Sequence, residues 1–283
     1  MSDTFNTFST NTGNNSSFSE SNSLVAKFSF LLLVIFMFIL LLNIGISLIS
    51  WFVKPSASPK LINGMIDATQ MVTFTQDPSL NGSATIYRSN NATDGIEFTW
   101  SVWIFINNLQ YLEGQYKHIF YKGNNNLDTN GLNFPNNAPG LYIAPNTNAL
   151  VVMMNTFNDI NEETIIPDIP LNKWVNVIIR CKNNKLDVYV NGTITRSVQL
   201  MGVPKQNYGD VFVAANGGFN GYISNLWYYD YALGTSEIAN ISTKGPNTKL
   251  TSTSSVNNSV LKDPNYLSLR WYFYGSGDSY NPV

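Results

Sequence analysis

A single cysteine and a single histidine are all that the 283 residues contain. Cys181 alone cannot close an intramolecular disulfide, and its inward place in an alternating strand pattern reads as a small core hydrophobe. His118 alone excludes a histidine-based metal cluster, and a Ser-His-Asp arrangement would have to rest on a residue inside an apparent strand. Charge is equally scarce. Asp, Glu, Lys and Arg make up 12% of the chain, about half the usual share. The balance of 16 basic against 18 acidic residues, a net charge of −2, supplies no positive field for phosphates, which argues against a nucleic-acid partner.

What the chain does have is asparagine, about forty residues of it, and one long uncharged run. Residues 1–26 are Ser, Thr and Asn with scattered Phe, too poor in apolar groups to bury a core of their own. From Phe28 to Val53 no charge interrupts FSFLLLVIFMFILLLNIGISLISWFV, and Lys27 and Lys54 bracket it. As a helix this run would measure roughly 39 Å, enough to cross a hydrocarbon layer of about 30 Å with some tilt. The expected membrane-spanning positions include Phe28, Leu32, Ile35, Phe38, Leu42, Ile46, Ile49, Trp51 and Val53. A cleaved leader fits poorly, because the run is about twice the usual length of such a segment. The membrane is therefore the first expected partner, crossed once by residues 27–54, with 55–66 as a Pro- and Ser-containing stalk.

Beyond the stalk the periodicity changes to two. Val175, Val177, Ile179 and Cys181 alternate with Asn176, Ile178 and Arg180, and Leu186, Val188 and Val190 repeat the pattern after the polar turn Lys182-Asn183-Asn184-Lys185. Asn191-Gly192 then offers the pair that tolerates the positive φ of a type I′ turn. Further strands are expected at Met71–Thr75, Ala84–Arg88, Ile96–Ile106, His118–Tyr121, Gly140–Ala144, Ala149–Asn155, Asp210–Ala214 and Gly221–Tyr229. This is the spacing of an all-β antiparallel sandwich. Phe98 to Ile106 is apolar on both faces and belongs mid-sheet. Gly123 to Pro139 is a long Asn-rich loop, of a kind that either carries function or is mobile. Ser236 and Glu237 suggest one helical turn, and Thr248 to Asn258 a polar linker.

The strings PLNKWVNVIIRCKNNKLDVYVNGTI and GDVFVAANGGFNGYISNLWYYDYALGTSEI resemble the laminin-G-like branch of the concanavalin-type jelly-roll superfamily. The likeness falls on Trp174, Val177 and Ile179; on Lys185, Leu186, Tyr189, Val190, Asn191 and Gly192; and on Gly221, Ile223, Leu226, Tyr229, Ala232, Leu233, Glu237 and Ile238. It implies a jelly roll over residues 67–245, followed by a linker and aromatic segment at 246–283. The Asn-rich composition, the single span, KQNYGDVFV and GPNTKL are similar to membrane-anchored laminin-G-like proteins encoded by large nucleocytoplasmic DNA viruses. That resemblance implies a minor component of a virion, in its internal or envelope membrane, with other structural proteins of the assembly as partners.

The superfamily also contains lectins and glucanases, so a glycan partner and glycoside hydrolysis stand as alternatives. Hydrolysis needs two carboxylates on one strand, about 5 Å apart for a retaining pair, and no E-x-D-x-x-E pattern occurs. Glu162 and Glu163 read, with Asp159, as solvated loop residues. Calcium is the ion the resemblance implies, and Asp128, Asn130 and Asp159 are the oxygen donors that could hold it. Trp100, Trp103, Trp174 and Trp227 fall on strand patterns and are expected to fill the core or the sheet faces. Phe5, Phe8 and Phe18 are expected to be apolar anchors in an assembly on the side of the membrane opposite the sandwich, and the patch Trp271 to Tyr274 is expected to dock on the sandwich or a neighbouring subunit. The sequence thus predicts a non-catalytic, membrane-anchored interaction module, with glycan binding as its rival.

Overall fold

The computed structural model describes residues 24–54, 56–80, 83–89 and 92–251; Phe5, Phe8, Phe18 and Trp271 to Tyr274 lie outside them. The chain divides into two units, one up to Lys54 and one from Pro55 onward.

The first unit is a single helix, α1 (Leu24–Val53), long and apolar enough to cross a membrane. Leu24, Val25 and Ala26, ahead of Lys27, belong to it, with no Gly or Pro to interrupt the helix there. Phe28, Leu32, Ile35, Phe38, Leu42, Ile46, Ile49 and Trp51 all have exposed side chains. Such a ring of apolar exposure suits lipid rather than water. Asn43 sits in the apolar run and donates its side-chain amide to the Ile39 carbonyl at 2.9 Å, satisfying one polar group internally.

The second unit contains two six-stranded antiparallel sheets. The strands are β1 (Met65–Asp67), β2 (Val72–Phe74), β3 (Glu97–Ile106), β4 (Lys117–Gly123), β5 (Gly140–Ile143), β6 (Ala149–Met154), β7 (Glu162–Pro167), β8 (Trp174–Lys182), β9 (Lys185–Val190), β10 (Thr193–Gln199), β11 (Asp210–Val213) and β12 (Gly221–Tyr229). The first sheet runs β1-β12-β3-β8-β9-β10 and the second β2-β11-β4-β5-β6-β7. The β8–β9 hairpin lies within the first sheet, and β3, apolar on both faces, sits between β12 and β8. Asn191 and Gly192 adopt φ of 50° and 79°, the geometry a type I′ turn requires.

Among the described residues three apolar clusters hold the unit together. The central one lies between the sheets and includes Phe74, Phe98, Trp100, Ile104, Phe120, Val177, Ile179, Val211, Ile223 and Tyr228. A second covers the outer face of the second sheet, where Tyr121, Tyr142, Val151, Met153 and Phe212 pack with Leu132 of the Asn-rich loop. The third lies on the outer face of the first sheet. There α2 (Thr235–Lys244) presses Ile238 against Ile178, Tyr189, Tyr229 and Leu233. This helix is longer than the single turn expected at Ser236 and Glu237. Glu237 accepts from the Gly234 N–H at 2.8 Å, so a carboxylate closes the helix start.

The structure corrects several boundaries. Leu61 and Ile62, read as stalk, are fully buried, and their N–H groups donate to the Leu226 carbonyl at 2.8 and 3.1 Å. At the other end Leu250 bridges Met65, and Met65 and Thr251 exchange backbone bonds with Lys249 and Met65, so part of the expected linker caps the β1 edge. Ala84–Arg88 is not a strand. Gln76 supplies the missing ladder from its side chain, donating Nε2 to the Ala84 carbonyl at 2.7 Å and accepting the Ile86 N–H on Oε1 at 2.8 Å. Two edge strands, β1 and β7, were not expected, whereas β10 pairs with β9 across the Asn191-Gly192 turn as the second hairpin requires; Glu162 and Glu163, read as loop residues, open β7.

Candidate functional site

The Asn-rich loop folds over the outer face of the second sheet and spends its amides on its own backbone. Asn126 Nδ2 donates to the Phe134 carbonyl at 2.9 Å, Asn133 Nδ2 to Asn136 at 2.6 Å and Asn137 Nδ2 to Asn133 at 2.7 Å. Asn155 ties this loop to the Asp159 loop, accepting the Asn137 N–H and donating to the carbonyls of Pro135 and Ile160. The Asn-rich loop and the Asp159 loop are therefore neighbours. Each calcium candidate, however, closes its own turn: Asp128 accepts the Thr129 N–H at 2.7 Å, Asn130 the Leu132 N–H at 2.9 Å and Asp159 the Asn161 N–H at 2.9 Å. No group of three His, Cys, Asp or Glu is placed to hold a metal ion among the described residues.

His118 lies fully buried on β4 beneath that loop, edge-on to Tyr121 and Tyr142. Its Nε2 faces the Gly131 carbonyl, so Nε2 carries the proton, and Nδ1 has no partner among the described residues. A proton added to Nδ1 would be a buried charge without an acceptor, and burial pulls the pKa down to about 4. In the unfolded chain the ring titrates near 6.5. The unfolded state therefore binds more protons between these values, and folding stability is complete above about pH 6.5 and lost as pH falls toward 4. Acid unfolding of the protein should include a loss of at most about 3 kcal/mol over this window. Equilibrium unfolding of His118→Gln at pH 7 and pH 4.5 checks it: the pH dependence should shrink, and an unchanged slope would contradict the assignment.

Cys181 is buried and its thiol is pushed up to about 12, mainly by desolvation, so it is inert as a nucleophile. Glu162 and Glu163 are consecutive on β7 and so point to opposite faces. Glu162 also accepts the Met201 N–H at 2.8 Å. They cannot form the facing pair that hydrolysis requires.

A different constellation was not singled out from the sequence. Phe105 is the register partner of both Trp174 and Tyr222, so three aromatic rings stand side by side across β8, β3 and β12. They lie on the outer face of the first sheet, since Phe98, Trp100, Val102, Ile104 and Ile106 take the inner one. Ring centroids are 5.5 Å apart for Phe105–Trp174 and 6.3 Å for Phe105–Tyr222. Gly221 makes the close approach possible, because a Cβ there would overlap the Phe105 carbonyl. Beside Tyr222 opens a groove of about 170 Å³ lined by Asp67, Thr69, Asn107, Tyr111, Asn220 and Gly221. Within it Asn107 Nδ2 donates to Asn220 Oδ1 at 2.7 Å, and Asp67 Oδ1 accepts from Thr69 N and Oγ1 at 2.9 and 2.8 Å. Asn107 Oδ1, Asn220 Nδ2 and Asp67 Oδ2 remain free of protein partners among the described residues. Sequence reasoning expected Trp174 on a sheet face, but only the register reveals which rings stand next to it.

An antiparallel two-sheet sandwich of this strand order defines a jelly-roll domain, here with an aromatic ladder beside an amide-and-carboxylate groove. The chain belongs to the concanavalin A-like lectin/glucanases superfamily, in its laminin-G-type branch, whose family model matches residues 77–239, more than half of the sequence. No curated protein matches the sequence. Among solved structures the chain is similar to the binding domain of botulinum neurotoxin serotype G, at 14% identity and a TM-score of 0.40 over 52% of this chain and 36% of that one. It is similar to the receptor-binding domain of botulinum neurotoxin D at 14% identity and a TM-score of 0.42, over 56% and 38%. It is also similar to the binding domain of botulinum neurotoxin DC in complex with rat synaptotagmin II, at 18% and 0.39, over 54% and 37%. The chain thus spans well under half the length of these proteins.

Proposed function

We propose that the protein is a non-catalytic recognition module, held at a membrane by α1, whose sandwich binds a carbohydrate across Trp174, Phe105 and Tyr222. The ladder and its groove carry this reading. Ring faces suit the apolar C–H faces of a sugar, and unengaged amide and carboxylate groups suit its hydroxyls. Binding without turnover is supported by the placement of Glu162 and Glu163 on opposite faces of an edge strand. A glycan array probed with the full chain in lipid nanodiscs, with calcium and with chelator, tests the reading. A saturable signal that persists in chelator is the expected result, since Asp128, Asn130 and Asp159 lie outside the ladder groove; a blank array would overturn it.

A second reading is favoured by a separate surface. Phe157, Ile160, Met201 and Val203 are exposed on two loops joined by the Phe157 N–H to Val203 carbonyl bond at 3.1 Å, and the Lys205 ammonium lies 5.3 Å from the centre of the Phe157 ring. Clustered apolar side chains in water suit protein docking. On this reading the protein joins a viral membrane to a protein shell as a minor virion component. Carbonate extraction and fractionation of purified particles separate the cases: membrane-bound protein absent from particles rejects the virion reading and leaves the carbohydrate one standing.

A further inference from the structure

Lys122, near the end of β4, is only 6% exposed, and it is not among the ion pairs of the described residues. Its Nζ donates to the carbonyls of Asn207 at 2.9 Å and Gly209 at 2.6 Å. An ammonium has three N–H groups, so one remains without a protein partner there. The loop that supplies these carbonyls is itself fastened to the strand. Asn207 Nδ2 donates back to the Lys122 carbonyl at 3.0 Å, and Asn207 Oδ1 accepts the Gly209 N–H at 3.0 Å. This brace fixes a buried cation at a defined place rather than leaving it to snorkel.

Lys122 is one of the residues that line a pocket at one end of the central core. Phe98, Trp100, Ala138 and Tyr228 are its buried apolar residues, Arg88, Gln206 and Tyr208 are among its polar ones, and its lining contains no carboxylate. Gln206 Oε1 is buried with no hydrogen-bond partner among the described residues, a state that normally carries a penalty. The buried Lys122, the exposed Arg88 and the orphan acceptor of Gln206 are all among the lining residues, and together they suit an anion for the two cationic side chains and an O–H donor for Gln206. About 60 Å³ of free volume admits a carboxylate and its neighbouring hydroxyl. The rest of the ligand would lie outward, along Tyr208, which is 91% exposed.

We propose that this pocket is a binding site for a hydroxy-carboxylate, with Lys122 and Arg88 on the carboxylate, Gln206 Oε1 on the hydroxyl and Tyr208 against the ligand's body. The site is separate from the aromatic ladder and stands whether or not the ladder binds sugar. Desolvation lowers the Lys122 pKa to about 8 even though the nearby Asp210 carboxylate on β11 acts to raise it, so the ammonium predominates below that pH and an incoming anion would raise the pKa further. Binding should accordingly be stronger at pH 7 than at pH 9.

The test is 19F line broadening of 4-fluoromandelate by the full chain in nanodiscs, set against 4-fluoromandelamide, which lacks the charge, and 4-fluorophenylacetate, which lacks the hydroxyl. The expected order is mandelate first, with each analogue about tenfold weaker or more, the loss that a missing charge-assisted or buried hydrogen bond produces. Lys122→Met, which keeps the volume and removes the charge, should abolish the preference for mandelate over its amide. Arg88→Gln, at an exposed position that leaves the fold untouched, should weaken mandelate binding about threefold or more. Equal broadening by the acid and the amide, or unchanged mandelate binding in Arg88→Gln and Lys122→Met, would overturn the proposal. So would no broadening by mandelate at millimolar concentration.

Discussion

Replacing Trp100 with alanine is expected to remove roughly 3–5 kcal/mol of stability, the range for deleting a large aromatic side chain from a packed core. The side chain is 1% exposed and lies with its ring centroid 5.0 Å from those of both Phe120 and Tyr228. Trp100 belongs to the first sheet and Phe120 to the second, so the deletion opens a void between the layers that neither sheet can close alone. Against a total of about 5–15 kcal/mol for a domain, this would leave the sandwich marginal. At a denaturant slope of about 2 kcal/mol per molar urea, the midpoint should fall by about 1.5–2.5 M. Near-ultraviolet circular dichroism of the detergent-solubilised chain reads this. Trp174→Phe on the outer face should shift the midpoint by a small fraction of that amount, and equal shifts for the two would contradict the assignment of Trp100 to the inter-sheet core.

The central hairpin and β3 were legible in the sequence because their information is local. An alternation of Val, Ile and Cys with polar residues, followed by Asn191-Gly192, states a strand, a face and a turn within some twenty residues. The edges were not legible, for physical reasons that differ from case to case. In β7 only Thr164 and Ile166 turn inward while Ile165 is exposed, so the pattern is too short and too mixed to register. Ala84–Arg88 has strand-like residues, but its backbone partner is the side chain of Gln76, and nothing in a linear pattern announces that. Leu61 and Ile62 are two apolar residues behind two prolines; their burial depends on Leu226, more than 160 positions away. The Asn-rich loop was readable as a loop, but not as a cover whose amides are already engaged.

The candidate site was hidden for the same reason. Phe105 sits on a strand that is apolar on both faces, so composition marks no site there. Its neighbours Trp174 and Tyr222 are set by register alone, at separations of 69 and 117 positions. Phe157 and Met201, conversely, have the residue types of a core and stand exposed at 69% and 71%. In each case the missing information was which strand lies beside which, and that is a property of the assembled sheets.

Removing one ring from the ladder is the second change expected to have a large effect. An aromatic side chain at the centre of a binding surface contributes about 2 kcal/mol or more when it is deleted, which corresponds to about thirtyfold in affinity. Trp174→Ala and Tyr222→Ala should each produce such a loss, and Asn220→Ala a smaller one through the groove. Phe157→Ala, on the apolar loops, should leave carbohydrate binding unchanged while weakening any capture of a protein partner. Because Trp174 and Tyr222 are partly exposed on the sheet's outer face, these variants should unfold at nearly the parental midpoint, separating loss of binding from loss of fold. The measurement that bears most directly on the account is a titration of nanodisc-held full-length chain with the strongest glycan on the array, run in parallel on the parent, Trp174→Ala and Phe157→Ala. A loss of about thirtyfold or more for Trp174→Ala, with Phe157→Ala like the parent, is the predicted result. Equal affinity for the parent and Trp174→Ala would show that carbohydrate recognition does not run across the ladder.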